Sequence, residues 1–114
     1  MRNHLLTRQR LGRAGEELAA EHLRGLGYEV LARNFRCRKG EIDLVCRRGA
    51  EVSLVEVKTR VGASHGTPLE ALDEDKQRAM AGTVAEYRAA SGWRGPIRFR
   101  LVAISLDVVD DVLA

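Results

Sequence analysis

The apolar residues of the chain follow two periods. Across residues 12–26 a spacing of about 100° per residue gathers Leu11, Leu18, Ala19, Leu23 and Leu26 on one broad arc. That pattern predicts an amphipathic helix, and Gly27 follows as its stop. Residues 28–35, 41–48 and 52–59 are rich in strand formers and read as three successive strands. VGASHG (61–66) reads as a loop. Thr67, Pro68 and Glu70 then give a capping box with proline at the first helical position, which starts a second helix. Its stripe is Leu69, Leu72, Met80, Thr83 and Tyr87, and it ends near Ser91-Gly92. Gly95-Pro96 breaks the chain before a last strand at 97–106, and the tail is compatible with a short edge strand. The order is αβββαβ in one domain, residues 1–114. Three strands joined by short turns pair antiparallel, and the strand after the second helix returns parallel. The expected fold is a mixed central sheet flanked by helices.

Within this pattern, two apolar strands are interrupted by charge: GEIDLV (40–45) and VEVKTR (55–60). Alternation places Glu41, Asp43 and Val45 on one face and Ile42, Leu44 and Cys46 on the other. On the next strand Leu54, Glu56 and Lys58 share a face. Gly49-Ala50 suits a two-residue type II′ hairpin, pairing Arg48 with Glu51. Continuing that register sets Asp43 opposite Glu56 and Glu41 opposite Lys58. Facing carboxylates repel unless compensated, and a divalent cation is one compensator. Neighbouring Arg side chains or Lys58 on a solvated face are another, and Glu41 with Lys58 makes an ordinary cross-strand ion pair.

The composition narrows the class only slightly. A 45% hydrophobic and 31% charged chain of 114 residues is an ordinary globular domain. No apolar run approaches the roughly 20 residues that span a bilayer, and residues 1–13 do not read as a secretory signal. Cys37 and Cys46 make no metal-type pair, so two reduced thiols in a cytoplasmic protein are expected. Charge is uneven: residues 1–60 hold 13 Lys and Arg against 8 Asp and Glu, giving +5, whereas residues 61–114 hold 6 against 8, giving −2. The positive half carries the acidic motif, which admits nucleic acid as a partner. Yet 16 of the 19 basic residues are Arg, a bias that genome composition alone can produce.

An acidic residue on the second strand followed by Glu-x-Lys on the third resembles the signature of the PD-(D/E)XK nuclease superfamily. The form found here, with Gly15, Glu16 and Ala19, Arg33-Asn34, Lys76 and Arg98-Phe99, resembles the uncharacterised YraN family of bacterial proteins. That family is similar to the archaeal Holliday-junction resolvases. The resemblance runs from Gly12 to Ile104. It implies a restriction-endonuclease-like core and a metal-dependent endonuclease acting on nucleic-acid phosphodiesters, with branched DNA as one substrate. Asp43, Glu56 and the backbone carbonyl of Val57 would hold Mg²⁺ or Mn²⁺. Lys58 would orient the attacking water, Glu16 would hold metal or position water, and Arg60 and Lys76 would contact the nucleic acid. The family tends to have Arg-Phe-Asp on its last strand, and this chain has Arg98-Phe99-Arg100.

Each of these residues also has an ordinary reading. Glu16 lies about 20° around the helix from Leu23, at the edge of the apolar arc, where it reaches a site or merely favours the helix N-terminus. Lys76, between Leu72 and Met80 on the stripe, contacts phosphate or covers the core edge. His65, His4 and His22 have no partner at ligand spacing. Five aromatic residues are too few for a base-stacking platform. A non-catalytic nucleic-acid-binding module, or an interaction protein with a structural cation, stays open beside the nuclease. A symmetric homodimer would suit two-strand cleavage, by analogy.

Overall fold

The computed structural model describes residues 4–38, 40–62 and 74–113. Helix α1 (His4–Gly25) leads into strands β1 (Glu29–Cys37), β2 (Gly40–Arg48) and β3 (Glu51–Val61). Helix α2 (Glu74–Ser91) and strand β4 (Ile97–Leu106) follow. The four strands form one sheet in the order β1-β2-β3-β4. β1, β2 and β3 pair antiparallel, and β4 lies parallel to β3. The expected αβββαβ mixed sheet with flanking helices is therefore observed. The start of the second helix at Thr67, its stripe residues Leu69 and Leu72, and His65 fall outside the described residues, as does the side chain of Lys76. The tail over 107–113 forms no strand.

Each face of the sheet carries one helix and its own core. On one, Ala19, Ala20 and Leu23 of α1 pack with Tyr28, Leu44, Cys46 and Val55. On the other, Tyr87 of α2 packs with Ile42, Val45, Val52 and Leu54. The arc expected for α1 is corrected here. Leu18 and Leu26 are about half exposed, and small residues, Gly15 and Ala20, take the inner face with Ala19 and Leu23. Small residues let the helix axis approach the sheet closely. A Cβ on Gly15 would overlap the Thr59 hydroxyl, with Thr59 Cβ 3.2 Å away and Ile104 Cδ1 3.5 Å away. α1 also starts eight residues earlier than its apolar pattern suggested, as a 22-residue rod about 33 Å long at 1.5 Å per residue.

The hairpin turn is as expected. Arg48 pairs with Glu51, and Gly49 has φ +61°, a value that Ala50 does not share, as a type II′ turn requires. At the other end of the hairpin the expected register fails. The β2–β3 ladder stops at Leu44–Val55. Beyond it, Glu41 and Ile42 pair with β1, while Glu56 to Val61 pair with β4. The two strands splay apart, and strict alternation breaks at Asp43. Ile42 faces α2, whereas Leu44 and Cys46 face α1. Asp43 and Glu56 are thus the first residues past the last rung rather than a backbone-paired couple.

Candidate functional site

The splay creates a gap in the sheet, and Asp43 fills it. Where the ladder would have offered a backbone carbonyl, the Asp43 carboxylate accepts the Val57 N–H through Oδ2 at 2.7 Å. A buried N–H left without an acceptor is costly, so this bond fixes the carboxylate in the gap. Burial raises the Asp43 pKa above its ordinary value, and the nearby charges of Glu56 and Glu41 push it the same way. The Val57 N–H and Lys58 oppose that rise.

Glu16 approaches from α1. The tight Gly15–Thr59 crossing holds its helix against β3, and Glu16 is partly buried next to that crossing. Burial raises its pKa, and Asp43 and Glu41 add to the effect while Arg33 opposes it. Glu56 comes from β3, with a side chain only 22% exposed. Lys58, two residues along the same strand, sits with Nζ 3.7 Å from Glu56 Oε1. The cross-strand Glu41–Lys58 pair considered from the register is replaced by this same-strand pair, because β2 has already turned away. On the α2 side, Glu41, Ile42, Leu54, Glu56, Met80 and Phe99 line a cavity of about 130 Å³.

Asp43 thus lies within electrostatic reach of three residues singled out with it from the sequence, Glu16, Glu56 and Lys58, with Glu16 on the α1 side of the sheet and Glu56 on the α2 side. Glu41 joins them. From the sequence it was placed on the same face as Asp43 and read only as an ion-pair partner of Lys58. Arg60 lies further along β3, in a groove on the α1 side. Arg100, the departure on the last strand, is not part of this group. It donates to Ser53 Oγ and Glu51 Oε1, both at 2.9 Å, near the hairpin turn.

Among the described residues, no three His, Cys, Asp or Glu side chains gather closely enough to hold a metal by themselves. The donor set that is present, the hard carboxylate oxygens of Asp43 and of Glu56, the latter lining a cavity, fits Mg²⁺ or Mn²⁺. Such ions are commonly held by one or two carboxylates with waters and substrate phosphates making up the shell. A bound cation would also offset the burial and the nearby charges of Glu56 and Glu41 that raise the pKa of Asp43.

The fold and the cleft define a small mixed α/β domain with an acidic notch cut into its sheet. Residues 15–104 match the family described as uncharacterised protein family UPF0102, and the chain belongs to it. A UPF0102 protein of Clavibacter michiganensis is 48% identical over 99 residues, covering 84% of this chain and 82% of that protein. One from Caldicellulosiruptor saccharolyticus is 40% identical over 110 residues, covering 95% and 92%. One from Symbiobacterium thermophilum is 46% identical over 97 residues, covering 84% and 82%. Among the described residues, no helix is long and apolar enough to cross a membrane.

Proposed function

We propose that this protein is a metal-dependent endonuclease that hydrolyses nucleic-acid phosphodiesters, with DNA as its substrate. The observation that carries the reading is the gap beyond Leu44–Val55. There Asp43 is bound to a backbone N–H, and the charges of Glu16, Glu41, Glu56 and Lys58 act on it or are acted on by it. A purely structural sheet gains nothing from unzipping two central strands around carboxylates whose charge is disfavoured.

Asp43 and Glu56, with the Val57 carbonyl, would hold Mg²⁺ or Mn²⁺, which when bound polarises a phosphoryl oxygen and acidifies a water. The bond from Val57 N–H orients the Asp43 carboxylate before substrate arrives, so no reorganisation is needed at the moment of reaction. Lys58 has its ammonium beside Glu56, where it orients the attacking water and offsets negative charge growing on the phosphate. Glu16 faces the gap from the opposite helix and positions water from that side. Arg60 and Lys76 steer the nucleic-acid backbone, a role that sets register without reading sequence.

The test is cleavage of a panel of linear, flapped and four-way DNA with Mn²⁺, compared with EDTA. The expected result is Mn²⁺-dependent cutting of at least one branched substrate, lost in Asp43→Asn and in Lys58→Ala. Cutting that survives Asp43→Asn unchanged would overturn the reading. Salt-sensitive DNA binding with no cutting on any substrate would instead establish a non-catalytic binding module.

A further inference from the structure

A groove of about 500 Å³ opens where α1 leaves the sheet, and nothing so far accounts for it. The Gly15–Thr59 crossing acts as its vertex. From there, α1 runs back toward its N-terminus and diverges from the end of β3, so Arg8, Leu11 and Gly12 form one wall and Thr59, Arg60 and Val61 the other. Glu16 and Val57 close the inner end. These two residues also belong to the notch, since Val57 donates to Asp43 and Glu16 feels its charge. The groove is therefore an approach to the site rather than a separate cavity. A Cβ on Gly12 would meet nothing within 4 Å, which confirms open space along that wall.

The lining chemistry selects the occupant. A short apolar floor lies between two arginines, Arg8 on the helix and Arg60 on the strand. Guanidinium groups are suited to phosphate oxygens. No aromatic side chain lines the groove among the described residues, so bases cannot be stacked there and the backbone is what it can hold. The volume lies in the roughly 300–1,000 Å³ range that encloses a drug-sized molecule, a size that a short stretch of one strand matches.

We infer that the α1–β3 groove holds a single nucleic-acid strand by its phosphates and leads it into the notch, so that the substrate is a duplex with an unpaired branch or end. The inference rests on the nuclease reading for what happens at the inner end, but strand binding itself does not require it. Arg8 and Arg60 contact successive phosphates, without sequence preference.

Fluorescence polarisation of a labelled oligothymidylate in EDTA, where hydrolysis is absent, tests the groove. The wild type should bind it more tightly than a blunt duplex of mixed sequence. Gly12→Phe fills the groove from open space, and Arg8→Glu reverses the charge of one wall. Each should weaken oligothymidylate binding about tenfold or more, equivalent to about 1.4 kcal/mol, at an unchanged melting temperature. Gly12→Ala should bind like the wild type. Equal affinity for the blunt duplex, wild-type affinity in Gly12→Phe, or equally good displacement by polyglutamate would overturn the inference. The two proposals fail separately. Strand binding that Gly12→Phe abolishes, with no Mn²⁺-dependent cutting by the wild type, leaves the groove and removes the nuclease. Mn²⁺-dependent cutting at the wild-type rate in Gly12→Phe does the reverse.

Discussion

At the turn end of the β2–β3 hairpin, Glu51 meets Arg98 and Arg100 at 2.9 Å each, and these arginines hold its carboxyl below the ordinary range, the Arg100 hydrogen bond foremost. At the open end, Asp43 lies within electrostatic reach of Glu16, Glu41 and Glu56, and its carboxyl is pushed up, burial foremost. The same two strands therefore carry one carboxylate placed for stability and another placed against it. The backbone differs in the same sense. The turn end is a regular ladder with a favoured turn, whereas the open end is unzipped and needs a side chain to satisfy a backbone N–H. Local conflict confined to one spot of an otherwise consistent fold is what a functional site looks like.

The comparison breaks most severely if the acidic end can be neutralised without loss of activity. Asp43→Asn keeps an oxygen to accept the Val57 N–H but removes the charge. We expect Mn²⁺-dependent cleavage to fall by at least about a hundredfold, in keeping with loss of a group acting on the reacting centre, measured as single-turnover rate on a branched substrate. A fall of less than a few-fold would place the chemistry elsewhere.

Next in size is the clamp that brings α1 to the open end. Gly15→Ala forces a methyl into the Thr59 side chain, and the rigid strand leaves little room to shift. A loss of about 1–3 kcal/mol in urea unfolding is expected for this overpacking. Thr59→Ala in the same chain removes the hydroxyl that would overlap, so the double variant should recover part of the loss. Strict additivity of the two changes would show that the crossing is looser than described.

A smaller effect separates the two ends by the sign of their pH dependence. Asp43 has a raised pKa in the folded state, so its unfavourable contribution is fully present above that pKa and vanishes as pH falls below the unfolded value. Glu51 has a lowered one, so its favourable contribution is present above the unfolded pKa and is lost as pH falls through the folded pKa. Without metal, Asp43→Asn should therefore be at least as stable as the wild type at neutral pH, and Glu51→Gln less stable. Both differences should shrink toward zero in acid. Denaturant unfolding of the three proteins across the acid range checks this, and differences of the same sign would contradict the contrast.

The turn end was legible in the sequence and the open end only partly so. Gly49-Ala50 fixes a two-residue turn, and the Arg48–Glu51 register follows from it. The limits of β4 follow from Gly95-Pro96 on one side and the apolar run 97–106 on the other. Asp43, Glu56 and Lys58 stood out because charge interrupted apolar strands. The splay did not, because alternation extrapolates a ladder indefinitely and carries no signal for the rung at which it ends. The inner face of α1 was misjudged for a related reason. Gly15 and Ala20 are silent in a hydrophobicity pattern, although close approach depends on their small size, while Leu18 and Leu26 are conspicuous but exposed. The Glu51–Arg98–Arg100 group was missed altogether, because it joins strands that only the parallel return of β4 brings side by side.

The central claim is that Asp43 and Glu56 at the open end form a cation site, and thermal unfolding with and without Mn²⁺ tests it without any substrate. An ion that binds the native state at a hundredfold excess over its Kd stabilises by about 2.7 kcal/mol, which is a rise of several degrees for a domain of this size. We predict such a rise for the wild type. For Asp43→Asn we predict a melting temperature no lower than that of the wild type in EDTA, with most of the Mn²⁺-induced rise gone. An equal rise in both proteins would show that Asp43 is not a ligand and would contradict the account.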